Sequence, residues 1–219
     1  MHLYGDKEIL NAIESNTHIN RVLVRIGYKS PLFREVIGKC RERDIPVKYI
    51  PPEQWKKMGL LSGTGICGIT SSIPVHSIEK LLKAEDDLPK IIIFLDRLTD
   101  IRNFGAIIRS GVAFGFNTFL IPSTETATVN EVVATVSKGA VFFSKIYRTG
   151  KTLTSLRHLK ERGYKIYCIT EKGKTPLREF NPSIPACIVF GSEQKGIRET
   201  ILEIADDSIY IPISSVVGA

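Results

Sequence analysis

Cysteine is scarce and scattered. Cys40, Cys67, Cys168 and Cys187 are the four in 219 residues, and they form no CxxC pair. Each lies in or beside an apolar run, so free buried thiols in a reducing compartment are expected, with no disulfide framework and no zinc site. The four histidines, His2, His18, His76 and His158, are equally dispersed, and no metal is expected. Long hydrophobic runs are absent too: nothing approaches the roughly eighteen consecutive apolar residues of a membrane-spanning helix, so no membrane partner is expected. The start, Met1 to Asp6, has no basic segment leading into an apolar one, which argues against a secretory signal and for a cytoplasmic protein. The loop that follows the apolar run at 91–95 is neither GxGxxG nor a Walker loop. That disfavours a nucleotide-dependent oxidoreductase, which needs the glycine fingerprint and a ribose-binding acid. There are no internal repeats.

What is present is an ordinary globular composition, 43% hydrophobic and 24% charged. The excess of Lys and Arg over Asp and Glu gives a net charge of +7. Such a balance favours an anionic partner such as nucleic acid, and it counts only alongside other features that agree with it.

The first third alternates helix and strand signals. Asp6 to Ser15 carries Ile9, Leu10 and Ile13 at helical spacing. Residues 21–26, rich in β-branched side chains, predict a strand. Ser30-Pro31 offers a helix start with proline in the first helical position, leading through 32–43. A strand over 46–50, a short helix through Trp55, a turn at Gly63-Thr64-Gly65 and a strand over 66–69 complete an α/β unit, 1–75. Residues 76–89 are polar and charged around one modest helix and read as a linker ending at Asp86-Asp87-Leu88-Pro89.

Residues 90–219 are more regular. Ile91-Ile92-Ile93-Phe94-Leu95 is almost wholly apolar, as a strand covered on both faces requires. Helix signals over 103–114, 128–137, 152–162 and 196–205 alternate with strand signals at 118–121, 145–148, 165–170, 187–190 and 208–213. Regular β-α alternation predicts an open, mostly parallel sheet. The expected fold class is therefore α/β, in two domains.

Ligands of such sheets bind beyond the carboxyl ends of strands, so the loops there carry the information. The first runs from Asp96 through Asp100, Arg102, Asn103 and Gly105 into a helix holding Arg109. Asn103 as a helix cap and the arginines as a solvated face is the plain alternative. The second is Gly191-Ser192-Glu193-Gln194-Lys195-Gly196, where two glycines permit close backbone approach. Glu193 could instead merely complement a helix dipole. The third is Ile211-Pro212-Ile213 and the residues to Ala219, otherwise readable as an edge strand and a tail.

Together these segments resemble the three motifs of the SpoU/TrmH ribose methyltransferases of the knotted SPOUT superfamily. Asp100, Asn103, Gly105 and Arg109 match the first, and Gly191, Ser192, Glu193 and Gly196 the second. Ile211-Pro212-Ile213 opens the third, with Ile where the family has Met. The preceding 75 residues resemble the ribosomal-protein-like RNA-binding domain that many members carry, although Ser62-Gly63-Thr64-Gly65 stands where a His-Gln-Gly sequence is usual. Ala219 falls just where the family's Leu-Asn should follow, so the chain is expected to be truncated before the helix that completes the trefoil knot and much of the dimer interface.

The resemblance implies an S-adenosylmethionine-dependent RNA 2′-O-methyltransferase, acting on a guanosine of 23S ribosomal RNA in relatives of this two-domain form. It implies RNA as partner, a homodimer, and adenosine held by backbone at Gly191 and Ile211, with Thr170 a further contact. It assigns activation of the hydroxyl to Arg109, with Asn103 positioning the ribose or Arg109 and Glu193 orienting the arginine or its loop. A guanidinium holds its proton too tightly to be a ready base, so stabilisation of the developing alkoxide is an equal possibility for Arg109. Transfer RNA as substrate, and a non-catalytic RNA-binding protein with the same basic surface, are the alternatives.

Overall fold

The structure is a computed structural model that describes residues 1–84 and 88–213. Asp86 and Asp87 at the expected linker end, and 214–219 at the end of the third motif, lie outside the described residues. The elements begin with β1 (His2–Tyr4), α1 (Asp6–Glu14), β2 (Ile19–Arg25), α2 (Phe33–Glu42), β3 (Val47–Ile50), α3 (Pro52–Lys57) and β4 (Ile66–Thr70). They continue with β5 (Val75–Ser77), α4 (Ile78–Leu82), β6 (Ile91–Leu95), α5 (Ile101–Ala113), β7 (Thr118–Pro122), α6 (Glu131–Val136) and β8 (Lys145–Thr149). After these come α7 (Thr152–Glu161), β9 (Lys165–Ile169), β10 (Thr175–Pro176), β11 (Ala186–Phe190), α8 (Glu199–Leu202) and β12 (Asp207–Tyr210). The mixed α/β class expected from the sequence is what forms.

The described chain divides into two compact units that do not follow chain order. The first unit comprises Met1–Ile73, Ile101–Gly115 and Val129–Ser144; the second comprises the described residues of Pro74–Asp100, Phe116–Thr128 and Lys145–Ala219.

In the first unit, four strands lie in the order β1-β4-β2-β3, with β2 and β3 parallel and the other pairs antiparallel. Leu23, Ile50, Trp55, Leu60 and Cys67 form a core on this sheet, and the Trp55 indole donates to the Leu61 carbonyl at 3.1 Å, which satisfies its one polar atom. The amino-terminal ammonium donates to the Thr70 carbonyl at 2.9 Å, and the His2 N–H donates to Glu131 Oε2 at 3.0 Å. Glu8, almost fully buried, pairs with Lys138 at 3.4 Å. The expected proline at the first turn of α2 is corrected: the helix starts at Phe33, whose N–H bonds the Ser30 carbonyl, so Ser30-Pro31 belongs to a preceding turn. At α3 the rule does hold, with Pro52 in the first helical position.

In the same unit α5 and α6 pack closely. A Cβ on Gly105 would sit 2.9 Å from Val136 side-chain atoms and 3.3 Å from the Ser137 nitrogen. The glycine of the first motif therefore lets two helices meet. Asn130 starts α6, its side-chain oxygen accepting from the Val132 and Val133 N–H groups.

In the second unit eight strands lie in the order β10-β12-β9-β11-β6-β7-β8-β5, every pair parallel. Residues two apart point to one face, and Ile92, Phe94, Ile166, Cys168, Cys187 and Val189 do so. Ile78 and Leu81 of α4 and Leu156 and Leu159 of α7 cover that face. Each such aliphatic side chain contributes roughly 1.5–3 kcal/mol on burial. The strand β5 straddles the expected boundary between 1–75 and the linker, an edge strand too short to show a period in the sequence. The expected helix over 196–205 shrinks to α8, because Gly196 adopts φ 60 and Arg198 stays extended at ψ 136. All four cysteines are free and buried. Burial pushes the Cys40 thiol up to about 11, and the Cys67 and Cys168 thiols to about 12, so none is poised as a nucleophile.

Candidate cofactor site

Because neighbouring strands run parallel, their carboxyl ends open on one edge of the sheet. In register, Phe190 lies beside both Ile169 and Leu95, and Ile209 lies beside Ile169. The next residues on these strands are Thr170, Gly191 and Asp96, with Ile211 just past β12. The three residues expected at the cofactor, Thr170, Gly191 and Ile211, are thus brought to one edge on the adjacent strands β9, β11 and β12. The Thr170 N–H donates to the Ile209 carbonyl at 2.9 Å, tying two of these ends together. Ile211 leaves 52% of its surface exposed there, an apolar face at a strand end.

Close backbone approach shapes the edge. A Cβ on Gly191 would collide with the backbone of Gly196 and Ile197, and one on Gly173 with the backbone of Ile209 and Tyr210. Gly196 is a glycine for another reason: open space surrounds it, but φ 60 is a conformation that side chains disfavour. The Gly196 N–H donates to the Ser192 carbonyl at 2.8 Å and the Lys195 N–H to Ser192 Oγ at 3.1 Å, closing the loop on itself.

Outside that loop stands a set of charges. Asp96 has no exposed surface, accepts the Arg198 N–H at 3.0 Å and ion-pairs with its guanidinium at 2.9 Å. Arg97 donates to the carbonyls of Lys195 at 3.1 Å and Gly196 at 3.3 Å. Glu125 pairs with Lys195 at 3.0 Å and with Arg198 at 3.1 Å. Burial pushes the Asp96 carboxyl above the usual carboxylate range, against the lowering effect of the Arg198 N–H, the Arg198 guanidinium and Arg97. The bonds to Lys195 and Arg198 hold the Glu125 carboxyl below that range.

Asn103 and Arg109 lie on α5 in the first unit, and Glu193 lies in the loop of the second. All three are exposed. Asn103 is the third residue of α5, so it is no cap of that helix. Six residues on a helix turn through about 600°, which puts Asn103 and Arg109 some 120° apart around the axis. Arg102, seven residues before Arg109, shares its face instead. Among the described residues no three His, Cys, Asp or Glu side chains gather to hold a metal, and no helix is long and apolar enough to cross a membrane.

Residues 90–218 match the SpoU rRNA Methylase family. The chain belongs to that family. Residues 2–69 match the family described as RNA 2′-O ribose methyltransferase substrate binding. Among curated relatives, a putative TrmH family tRNA/rRNA methyltransferase of Staphylococcus haemolyticus is 22% identical, covering 96% of this chain and 86% of its own length. An uncharacterized tRNA/rRNA methyltransferase of Mycobacterium ulcerans is 26% identical over 96% of this chain and 69% of its own length. Among solved structures, the SpoU methyltransferase AviRb of Streptomyces viridochromogenes superposes with a TM-score of 0.80 at 17% identity, covering 100% of this chain and 82% of its own. Its complex with the cofactor AdoMet gives 0.79 at 18% identity, over 100% and 83%.

As a SpoU methylase, the chain is an S-adenosylmethionine-dependent RNA methyltransferase. The strand-end edge fits that cofactor. Its loops are pressed together backbone to backbone at Gly173 and Gly191, and Ile211 adds an apolar surface. Asp96, Arg97, Glu125, Gly173 and Arg198 were missed by sequence reasoning. Gly173 had a signal, a glycine in a polar stretch right after a strand. The others had none, since Asp96 and Arg198 meet across 102 positions.

Proposed function

We propose that this chain methylates a ribose 2′-hydroxyl of RNA, with a guanosine of 23S ribosomal RNA as substrate. The observation that carries the reading is the match of residues 2–69 to the substrate-binding family of RNA 2′-O ribose methyltransferases, ahead of the SpoU methylase match. The ribosomal substrate rests on the two-domain form (1–75, a linker over 76–89, and 90–219) and on its resemblance to the 23S guanosine enzymes. The tRNA/rRNA names of the relatives support transfer RNA as the second reading. We take the enzyme to be cytoplasmic and a homodimer.

S-adenosylmethionine supplies an electrophilic methyl group, and its sulfonium loses charge as that methyl leaves. Thr170, Gly191 and Ile211 would hold the adenosine, mainly through backbone groups, in surroundings that favour the neutral product. The rest of catalysis is positioning, since displacement at carbon needs the three reacting atoms in line. Arg109 acts at the ribose oxygen. Its guanidinium stabilises the developing alkoxide and grips the neighbouring phosphate, while the hydroxyl proton passes to solvent water. Asn103 positions the ribose, and Glu193 orients the loop around the cofactor.

The test is Arg109→Ala. Arg109 is exposed on α5, so the variant should melt like the parent chain. Its kcat for methyl transfer to 23S RNA should fall on the order of a thousandfold, as loss of a charged transition-state donor does. Normal turnover would refute the assignment.

A further inference from the structure

The loop 191–198 meets the cofactor in the reading above, and the inference made here rests on that reading. Within the loop, Ser192 accepts the Gly196 and Lys195 N–H groups, which closes the turn on itself without tying it to the neighbouring strand ends. The loop contains two glycines, and Gly196 has open space around it, so an isolated loop of this composition would sample many conformations. Three residues from two other strand ends restrain it. Arg97, just after β6, donates to two consecutive loop carbonyls, those of Lys195 and Gly196. Asp96, its neighbour, accepts the Arg198 N–H and pairs with the Arg198 side chain, while its own N–H donates to the Phe190 carbonyl at 2.7 Å. Glu125, in the loop after β7, takes Lys195 on one carboxylate oxygen and Arg198 on the other.

Both ends of the loop and two of its side chains are thereby fixed from outside it. Arg97 and Glu125 also share a backbone feature: both are non-glycine residues in the left-handed region, at φ 56 and φ 53. That conformation is unfavourable for a side chain with a Cβ, and it persists where surrounding contacts over-determine it. In both residues it aims the side chain at the same loop.

We propose that Asp96, Arg97 and Glu125 are positioning residues for the cofactor: acting through Arg198 and Lys195, they hold the loop 191–198 in its binding shape before the cofactor arrives. None of the three needs to touch the cofactor. Their effect is to remove the ordering cost that a free loop would add to binding. Glu125 works at the surface with 46% of its side chain exposed, so its share is screened by salt; the buried Asp96 share is not.

The test is calorimetric titration of S-adenosylhomocysteine into the full chain and into Glu125→Gln and Arg97→Ala, at about 0.05 M and about 0.5 M salt. Glu125→Gln should weaken binding about fivefold at low salt, the effect of losing two exposed ion pairs, and the gap should close at high salt. Arg97→Ala should weaken it about tenfold at both, through two lost backbone bonds. The melting temperature of ligand-free Glu125→Gln should stay that of the parent, and Arg97→Lys should recover part of the loss. A purely structural role would instead lower the melting temperature and leave the salt dependence of binding parallel in parent and variant. Equal affinity in the parent chain and both variants overturns the proposal alone. A parent chain that binds no S-adenosylhomocysteine overturns the cofactor reading and the proposal with it.

Discussion

At the scale of single residues, Asp96 makes the sharpest demand on solution conditions. Burial raises its carboxyl above the usual range despite Arg198 and Arg97, while Glu125 is lowered by its bonds to Lys195 and Arg198. The folded-state pKa of Asp96 thus lies above its unfolded value near 3.9. On acidification the folded chain takes up this proton first, so this group alone adds stability as pH falls through its raised pKa. The ion pair to Arg198 is lost over the same window. S-adenosylhomocysteine affinity should therefore weaken on acidification above the ordinary aspartate range, without a matching fall in melting temperature. In Asp96→Asn that pH dependence should flatten. Titrations at stepped pH check it, and a parent curve as flat as the variant's would refute it. The residues that touch the cofactor in this account were readable from the sequence because glycine and strand-end position are local signals. Asp96 was visible only as part of a loop, since what gives it a role lies across the fold.

Between elements, the packing of α5 on α6 is set by one missing side chain. Gly105→Ala would place a methyl group 2.9 Å from Val136 atoms, and a helix cannot yield there without moving its neighbour. The expected cost is about 1–3 kcal/mol of stability, the usual range for overpacking, measured by denaturant unfolding. Enzyme assays at low temperature should show turnover retained in the fraction that remains folded. Helices of nine or more residues were legible from periodicity, as α1 and α7 illustrate. β1, β5 and β10 were not, because two or three residues carry no period. The helix expected over 196–205 failed for a different reason: tertiary bonds to Arg198 override a local helical pattern.

For the molecule as a whole, the charge of +7 is the quantity with the widest reach. If the anionic partner is RNA, log affinity should fall linearly with log salt, with a slope near −0.7 for each single-stranded phosphate neutralised. Filter binding at stepped salt measures that slope, and a salt-independent affinity would contradict an electrostatic grip. Composition made this much legible. It could not reveal that 101–115 and 129–144 belong to the same compact unit as the first 73 residues. Grouping of that kind follows from long-range contacts such as His2 on Glu131 and Glu8 on Lys138, with Gly105 on Val136 joining the two later segments, and chain order does not encode them.

The central pairing of the eight-stranded sheet sets a timetable for folding. Ile91 of β6 lies beside Ala186 of β11, while on its other flank β6 pairs with the much nearer β7. A chain leaving the ribosome can join β6 to β7 early, but one apolar edge of β6 must wait until β11 has been made. Closing so long a loop is entropically slow, and a waiting strand edge is a template for mispairing with another chain. Refolding from denaturant should accordingly be slower, and its yield should drop more steeply with protein concentration, than for helical proteins of the same length. The sheet that gathers the cofactor loops at one edge is therefore also the part of the molecule most exposed to aggregation while it forms.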